Sequence, residues 1–375
     1  MAEHPDVLIL GGGVIGLSAA WFLTEAGVRV TIVDKGDFGQ QASWAGAGII
    51  SPGNPARART AMDQLRGRSA ALYPELSRTL RELTGIDNSY FVCGGLELIT
   101  RAEDVAADEW RSEGIAFHEL TGDELRRRYP YLAPELECAY FLPDLAQVRN
   151  PRHVKALKAA CASRGVQMRP DCPARRLVRN GGRIEAVETE QGRLTAGRYL
   201  IATGAWTDAL LGPLGLQPDI RPVRGQIALL NTGMAERRPV LLRGKRYLVP
   251  RGDGRLLTGS TEEDAGFDAR PTAGAIAGLL DFAAALVPDL ADATVERCWA
   301  GLRPGSPDGK PFLGVVPGVE NLFVAAGHFR AGIQLSPATA LVMKEVILGE
   351  KPTIALDEFR LDRPLGPPVR TAFQS

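Results

Sequence analysis

The sequence predicts an α/β protein in which a discontinuous part, built from strand–glycine–helix units, is interrupted twice by a mostly antiparallel β part. Three observations carry that expectation. An apolar run, three glycines and an apolar helical stretch follow one another over residues 7–26 and lead into a second apolar run ending at Asp34. The same strand–glycine–helix order returns around residues 198–211 and 322–348. Between these pieces, residues 87–146 and 217–299 contain alternating runs of the kind that half-buried antiparallel strands show. The implied division assigns 1–86, 147–216 and 300–365 to the α/β part, and 87–146 and 217–299 to the β-rich part.

Taken in order, residues 7–10 read as a buried strand, Gly11-Gly12-Gly13 as its turn, and 14–26 as a helix stopped by Gly27. Residues 28–33 form the next strand. At residue 150 a helix begins, with Asn150 as its expected cap and Pro151 in the first helical position. Strands are expected at 166–168, 174–179, 183–189 and 198–202, with Asn180-Gly181-Gly182 as a hairpin turn. In the β-rich part, strands are expected at 95–100, 225–231, 246–250 and 255–260, with one helix near 273–287. The last strand–glycine–helix unit runs through Gly327 to Leu348, and the proline-rich tail after Arg363 is read as loose.

Composition narrows the function classes. Of 375 residues, 45% are hydrophobic and 23% charged, which excludes a disordered chain. Lys+Arg and Asp+Glu each total 44, so no global field favours nucleic acid or an anionic membrane, and the expected ligand is small. Cys93, Cys138, Cys161, Cys172 and Cys298 contain no C-x-x-C, and the four histidines are dispersed, so neither a disulfide framework nor a metal site is expected. Residues 7–24 carry no charge, close to the ~18 residues that suggest a membrane span. Glu3 and Asp6 precede the run where a signal peptide would be basic, and the glycines break it, so a buried strand, turn and helix are expected instead. A cytoplasmic location follows as the simplest expectation.

Gly11-x-Gly13-x-x-Gly16, after a strand and opening a helix, with Asp34 closing the next strand, is the dinucleotide fingerprint in its full context. Gly11 permits the turn, Gly13 admits a pyrophosphate, and Gly16 lets helix pack on strand. The helix N-terminus favours phosphate charge, and Asp34 can accept from ribose hydroxyls while repelling a 2′-phosphate. The fingerprint makes the α/β part Rossmann-like. It leaves FAD and NAD both open.

Three later motifs decide between them. Gln41-Ala42-Ser43-Trp44-Ala45-Gly46-Ala47-Gly48-Ile49-Ile50 resembles the flavin-contacting loop of the D-amino-acid oxidase superfamily. Trp299-Ala300-Gly301-Leu302-Arg303-Pro304-Gly305-Ser306-Pro307-Asp308-Gly309-Lys310-Pro311 and Ala326-Gly327-His328-Phe329-Arg330-Ala331-Gly332-Ile333 resemble its two C-terminal motifs. Together, from about residue 6 to 363, they are most similar to the glycine oxidase family, flavoenzymes of thiazole synthesis in thiamine pathways. The resemblance implies FAD in an interrupted Rossmann-like domain, its ring reaching a substrate-binding β-rich domain. It places Val14 and Ile15 at the pyrophosphate, and Asp34 and Lys35 at the adenosine. Ala42, Ser43, Ala47, Gly48 and Ile49 fall between diphosphate and flavin, Ala174 at the adenine, and Gly204 on the cofactor. His328, Phe329, Arg330, Ala331, Gly332, Ile333 and Gln334 then wrap the flavin pyrimidine end. His328 is equally readable as a satisfied polar residue in a turn. Residues 301–303 hold no cysteine for a covalent flavin link, so FAD is expected to be non-covalent.

For the substrate, the resemblance implies that Arg303 clamps a carboxylate, Tyr247 adds its hydroxyl, and Arg330 contacts the amine through its backbone carbonyl. It further implies hydride transfer from the substrate Cα to FAD, hydrolysis of the imine to an oxo acid and ammonia, and reoxidation by molecular oxygen to hydrogen peroxide. A homo-oligomer, a tetramer, is implied as well. Two alternatives stay open: a D-amino-acid or imino-acid dehydrogenase passing electrons to a quinone, and a non-catalytic FAD-binding protein. One departure is visible. Glu262 stands where related glycine oxidases tend to have an apolar pocket residue, and it either faces solvent or alters the preferred amine.

Overall fold

The computed structural model describes residues 4–99, 107–233 and 238–366. Its α/β part is organised on a six-stranded sheet in the order Phe312–Val315, Leu322–Ala326, Arg198–Ile201, Val7–Leu10, Val30–Val33, Gln167–Arg169. All pairs are parallel except that of Phe312–Val315 with Leu322–Ala326. Val7–Leu10 lies inside the sheet and is buried at every position. Side chains alternate across a strand, so Val7 and Ile9 join a core formed with the helices, while Leu8 and Leu10 join a second core on the other face. The hairpin Ala174–Asn180 and Arg183–Thr189 supplies Leu177, Ile184 and Val187 to that second core.

The uncharged run at 7–24 is the expected strand, turn and helix, the helix being Val14–Glu25. A different segment has the length and apolarity of a membrane span, Phe329–Leu348, and it is built into the core between Val14–Glu25 and the long helix Ala61–Thr84. That long helix is unanticipated, because Gly67 and Pro74 interrupt its pattern. Gly67 is needed for a close crossing: a Cβ there would lie 2.8 Å from the Pro55 nitrogen. Thr60 caps the helix by accepting from the Asp63 amide at 3.1 Å, and Gly85 ends it in the left-handed region.

The β-rich part is an eight-stranded sheet, antiparallel except for Val240–Arg243 against Gly95–Ile99. Residues 87–146 are less purely β than expected, because Ala107–Glu113 and Gly122–Arg128 are short helices, the second with acids in its first turn and arginines in its last. Expected residue 100 lies outside the described residues. The strand Thr294–Gly305 pairs along Arg221–Asn231 and runs continuously past residue 300, delivering Arg303 to the junction of the two sheets. Asn150 does not cap its helix. It is the first residue of Asn150–Ser163, and the chain enters through Arg149 without a side-chain cap.

The motif at 306–311 has a structural purpose. Asp308, 3% exposed, receives two hydrogen bonds of 2.8 Å from Arg363, whose guanidinium also donates to the Pro311 and Lys310 carbonyls and lies 3.9 Å from the Phe312 ring centroid. Burial alone would raise the Asp308 carboxyl, but Arg363 and the Lys310 amide bring it below its ordinary value. Arg363→Ala leaves a buried carboxylate unpaired and should cost about 3–5 kcal/mol in urea unfolding. Because the folded Asp308 value is lowered, this contribution should be present at neutral pH and disappear as pH falls through that lowered value. The exposed Arg360→Ala should leave the unfolding midpoint near wild type.

Candidate active site

The turn after Val7–Leu10 has the geometry the fingerprint demands. Gly11 has φ +106°, and a Cβ there would meet the Ala202 carbonyl oxygen at 2.4 Å. A Cβ on Gly16 would lie 1.9 Å from the Gly11 oxygen, so Gly16 serves helix-on-strand packing. Asp34 Oδ2 accepts from the Gly12 amide at 2.6 Å and Oδ1 from the Gly36 amide at 3.1 Å. Burial raises the Asp34 carboxyl, and these amides oppose the rise. Ser43 Oγ accepts from the Val14 amide at 2.9 Å, which joins the 41–50 loop to the N-terminus of the fingerprint helix. The Lys35 ammonium lies 3.2 Å from the Trp206 ring centroid, and its burial lowers its pKa.

Gly11, Gly13, Val14, Asp34, Lys35, Ser43 and Trp206 line one cavity of ≈ 490 Å³, which also reaches Tyr247, Arg303 and Arg330. Every site residue expected from the sequence is in its wall except Gly16 and Ala331. Cys298 is not in the wall either.

At the end formed by both sheets, Arg303 donates from Nη2 to Ser260 Oγ at 2.6 Å and from Nη1 to the Thr261 carbonyl at 3.0 Å. Burial lowers its pKa, and Tyr247 opposes that shift through charge and hydrogen bonding. Two glycines make room for this pair. A Cβ on Gly225 would meet the Arg303 guanidinium at 2.2 Å, and one on Gly259 would meet the Tyr247 ring at 2.8 Å. Arg330 is also in the wall, and its side chain pairs with Glu262. His328 is buried, with Nε2 3.1 Å from Thr339 Oγ1 and its pKa pushed down to about 3 by burial. It is a neutral, satisfied turn residue whose contribution to the cavity is positional.

Behind the same wall, Tyr73 of the long helix donates to the Ile333 carbonyl at 2.5 Å and Gln334 Nε2 to the Ser51 carbonyl at 3.0 Å. These bonds fix the start of the helix Gly332–Leu348. Trp299 Nε1 donates to the Ala45 carbonyl at 3.0 Å, and Trp44 meets Trp299 edge-on at 5.3 Å, which anchors the 41–50 loop to the strand carrying Arg303.

Among the wall residues that sequence reasoning did not assign to the site are Asn150, Trp206, Gly225 and Ser260. Asn150 Nδ2 donates to the Ser43 carbonyl at 3.1 Å, while its buried Oδ1 has no protein partner. It had a signal, but that signal resembled a helix cap. Gly225 and Ser260 had none, since their roles depend on residues far away in sequence.

These residues fit a flavin dinucleotide. The volume lies in the range of small-molecule sites. The fingerprint helix presents its N-terminus to the cavity with no acid in its first turn, and Gly332, Ile333 and Gln334 present a second helix N-terminus at the arginine end.

Known proteins agree with this geometry. The chain is 39% identical to the glycine oxidase of Pseudomonas putida, over 93% of this chain and 96% of that protein. It is 36% identical to the bifunctional protein ThiO/ThiG of Synechocystis over 98% of this chain, which spans 56% of that longer protein. The crystal structure of glycine oxidase from Geobacillus kaustophilus superposes with a TM-score of 0.91 at 34% identity, covering 97% of this chain and 100% of that one. A family model described as FAD dependent oxidoreductase matches residues 6–346, and the chain belongs to that family.

Proposed function

We propose that this enzyme catalyses the FAD-dependent oxidative deamination of glycine and small amines such as sarcosine and small D-amino acids. The products are the oxo acid, ammonia or an amine, and hydrogen peroxide. The observation that carries the reading is the Arg303 guanidinium, set deep in the cavity wall on two neutral acceptors and with no carboxylate bonded to it among the described residues. A buried cation of this kind is completed by an anion, and a planar guanidinium suits a carboxylate. The family name and the glycine oxidase relatives support the same substrate class.

In this reading Arg303 and Tyr247 hold the substrate carboxylate and so fix where the Cα–H points. Desolvation beside Arg303 lowers the pKa of the substrate ammonium, which supplies the neutral amine without a side-chain base. Burial holds the His328 imidazole well below its ordinary pKa and Nε2 is bonded to Thr339, so in this reading His328 shapes the wall and does not take up a proton near neutral pH. The N-terminus of Gly332–Leu348 favours negative charge at the arginine end of the cavity. FAD, bound non-covalently, supplies the two-electron acceptor that oxygen regenerates. Asp34, Ser43 and the fingerprint turn hold its nucleotide half in the α/β part, and the β-rich part binds substrate. The likeness to ThiO/ThiG supports a place in thiamine biosynthesis, supplying the imine for thiazole formation. A homo-oligomer in the cytoplasm belongs to the same reading.

Glycine and sarcosine should bleach the bound flavin without oxygen and release peroxide with it; a yellow protein that none of the small amines reduces would overturn the reading. Arg303→Ala should keep FAD and raise the glycine KM at least about 100-fold, since two charge-assisted bonds of ~1.5–3 kcal/mol each are lost. An unchanged KM would remove the clamp. Asp34→Ala should weaken FAD retention by about tenfold or more, read as the FAD dissociation constant of the apoprotein, and an unaltered constant would contradict the ribose role.

A further inference from the structure

The structure resolves the two readings of Glu262 in an unexpected way. Its carboxylate is not in the cavity wall, but Oε2 accepts from Arg330 Nη2, and Arg330 is in the wall. Its other oxygen, Oε1, accepts from Lys245 Nζ at 3.3 Å. The side chain of Arg330 is 15% exposed and that of Glu262 30%, so the pair sits at the rim with the cation inward. The turn that carries Glu262 also serves the other guanidinium, because Ser260 Oγ and the Thr261 carbonyl are the two acceptors for Arg303. On the far side the next residue, Glu263, is held by Arg224 and Gln226, which pins the direction of the turn. Tyr247 lies close enough to Arg303 and Arg330 to bias both.

The charges at this end are therefore unequal in availability. Among the described residues Arg303 is bonded to neutral acceptors, whereas Arg330 has Glu262. An amino acid with one carboxylate needs one cation. A substrate with a second anionic group, on its nitrogen or its side chain, needs Arg330 as well, and brings that group up to a guanidinium whose charge the adjacent Glu262 carboxylate already offsets. Like charges brought together at a partly desolvated site discriminate by repulsion more than attraction does.

We propose that Glu262 is a specificity-determining residue: by holding Arg330 it leaves Arg303 as the guanidinium open to substrate, and it rejects amines that carry a second anionic group. This rests on the amine-oxidising reading above for its kinetic consequences, though not for its binding consequences. Glu262→Gln removes the charge with little change of shape. Glu262→Ala covers the case in which the glutamine keeps a bond to Arg330.

The test uses the full chain loaded with FAD, as wild type, both single variants, and Glu262→Gln combined with Arg330→Met. KM is measured for iminodiacetate and sarcosine by peroxide release, and dissociation constants for malonate and acetate by calorimetry. Both single variants should tighten the dianions about tenfold or more while sarcosine and acetate move less than about threefold, as expected when one charge-assisted contact becomes available. The gain should vanish with Arg330→Met. A dianion-to-monoanion ratio like that of wild type in both single variants, a gain that survives Arg330→Met, or no anion binding in any protein would each overturn the assignment. If no amine reduces the flavin, the reaction reading fails, and the malonate-to-acetate ratio still decides the role of Glu262.

Discussion

A part-buried guanidinium with no carboxylate bonded to it among the described residues is the constraint around which the cavity is arranged. Removing a cation from water is costly unless hydrogen bonds and an opposite charge offset the loss. Arg303 has the hydrogen bonds, to Ser260 and Thr261, and its place deep in the wall already lowers its pKa. The nearest acid on the same turn, Glu263, is committed to Arg224 and Gln226. In the proposed reading, the charge that completes the site comes with the ligand.

Much of the surrounding architecture serves that placement. Strand Thr294–Gly305 carries Arg303 from the β-rich sheet into the cavity wall, and its partner strand offers Gly225 where any side chain would collide with the guanidinium. Gly259 leaves the equivalent space for Tyr247. The tryptophan pair ties this strand to the loop that meets Val14 through Ser43, so the two ends of the cavity are held in one register. Tyr73 and Gln334 fix the helix N-terminus that faces the same space.

What the sequence made legible was local chemistry. The strand, Gly11-x-Gly13-x-x-Gly16 turn and helix are specified within a short stretch, and Gly16 is explained by the Gly11 carbonyl five residues away, although Gly11 itself is confined by the remote Ala202 carbonyl. The motif around Arg303 was legible only through resemblance, because nothing near it in sequence shows that a glycine 78 positions earlier must be small to receive it. The helix Ala61–Thr84 was hidden by Gly67 and Pro74, which tertiary contacts accommodate. Asn150 carried a capping signal, yet its amide is used by Ser43 across 107 residues of chain. Glu262 was visible as a departure, while its pairing with Arg330 was not, since an ion pair between remote loops leaves no periodic trace.

The central claim is that substrate binding depends on where the Arg303 guanidinium lies, and not merely on its presence. Gly225→Ala tests this directly, since it keeps the arginine and displaces it. Rapid anaerobic mixing of the yellow Gly225→Ala protein with increasing glycine gives the apparent dissociation constant from the saturation of flavin bleaching. This constant should rise by about tenfold or more, the loss expected for one charge-assisted hydrogen bond, with FAD affinity unchanged. A constant equal to that of wild type would contradict it.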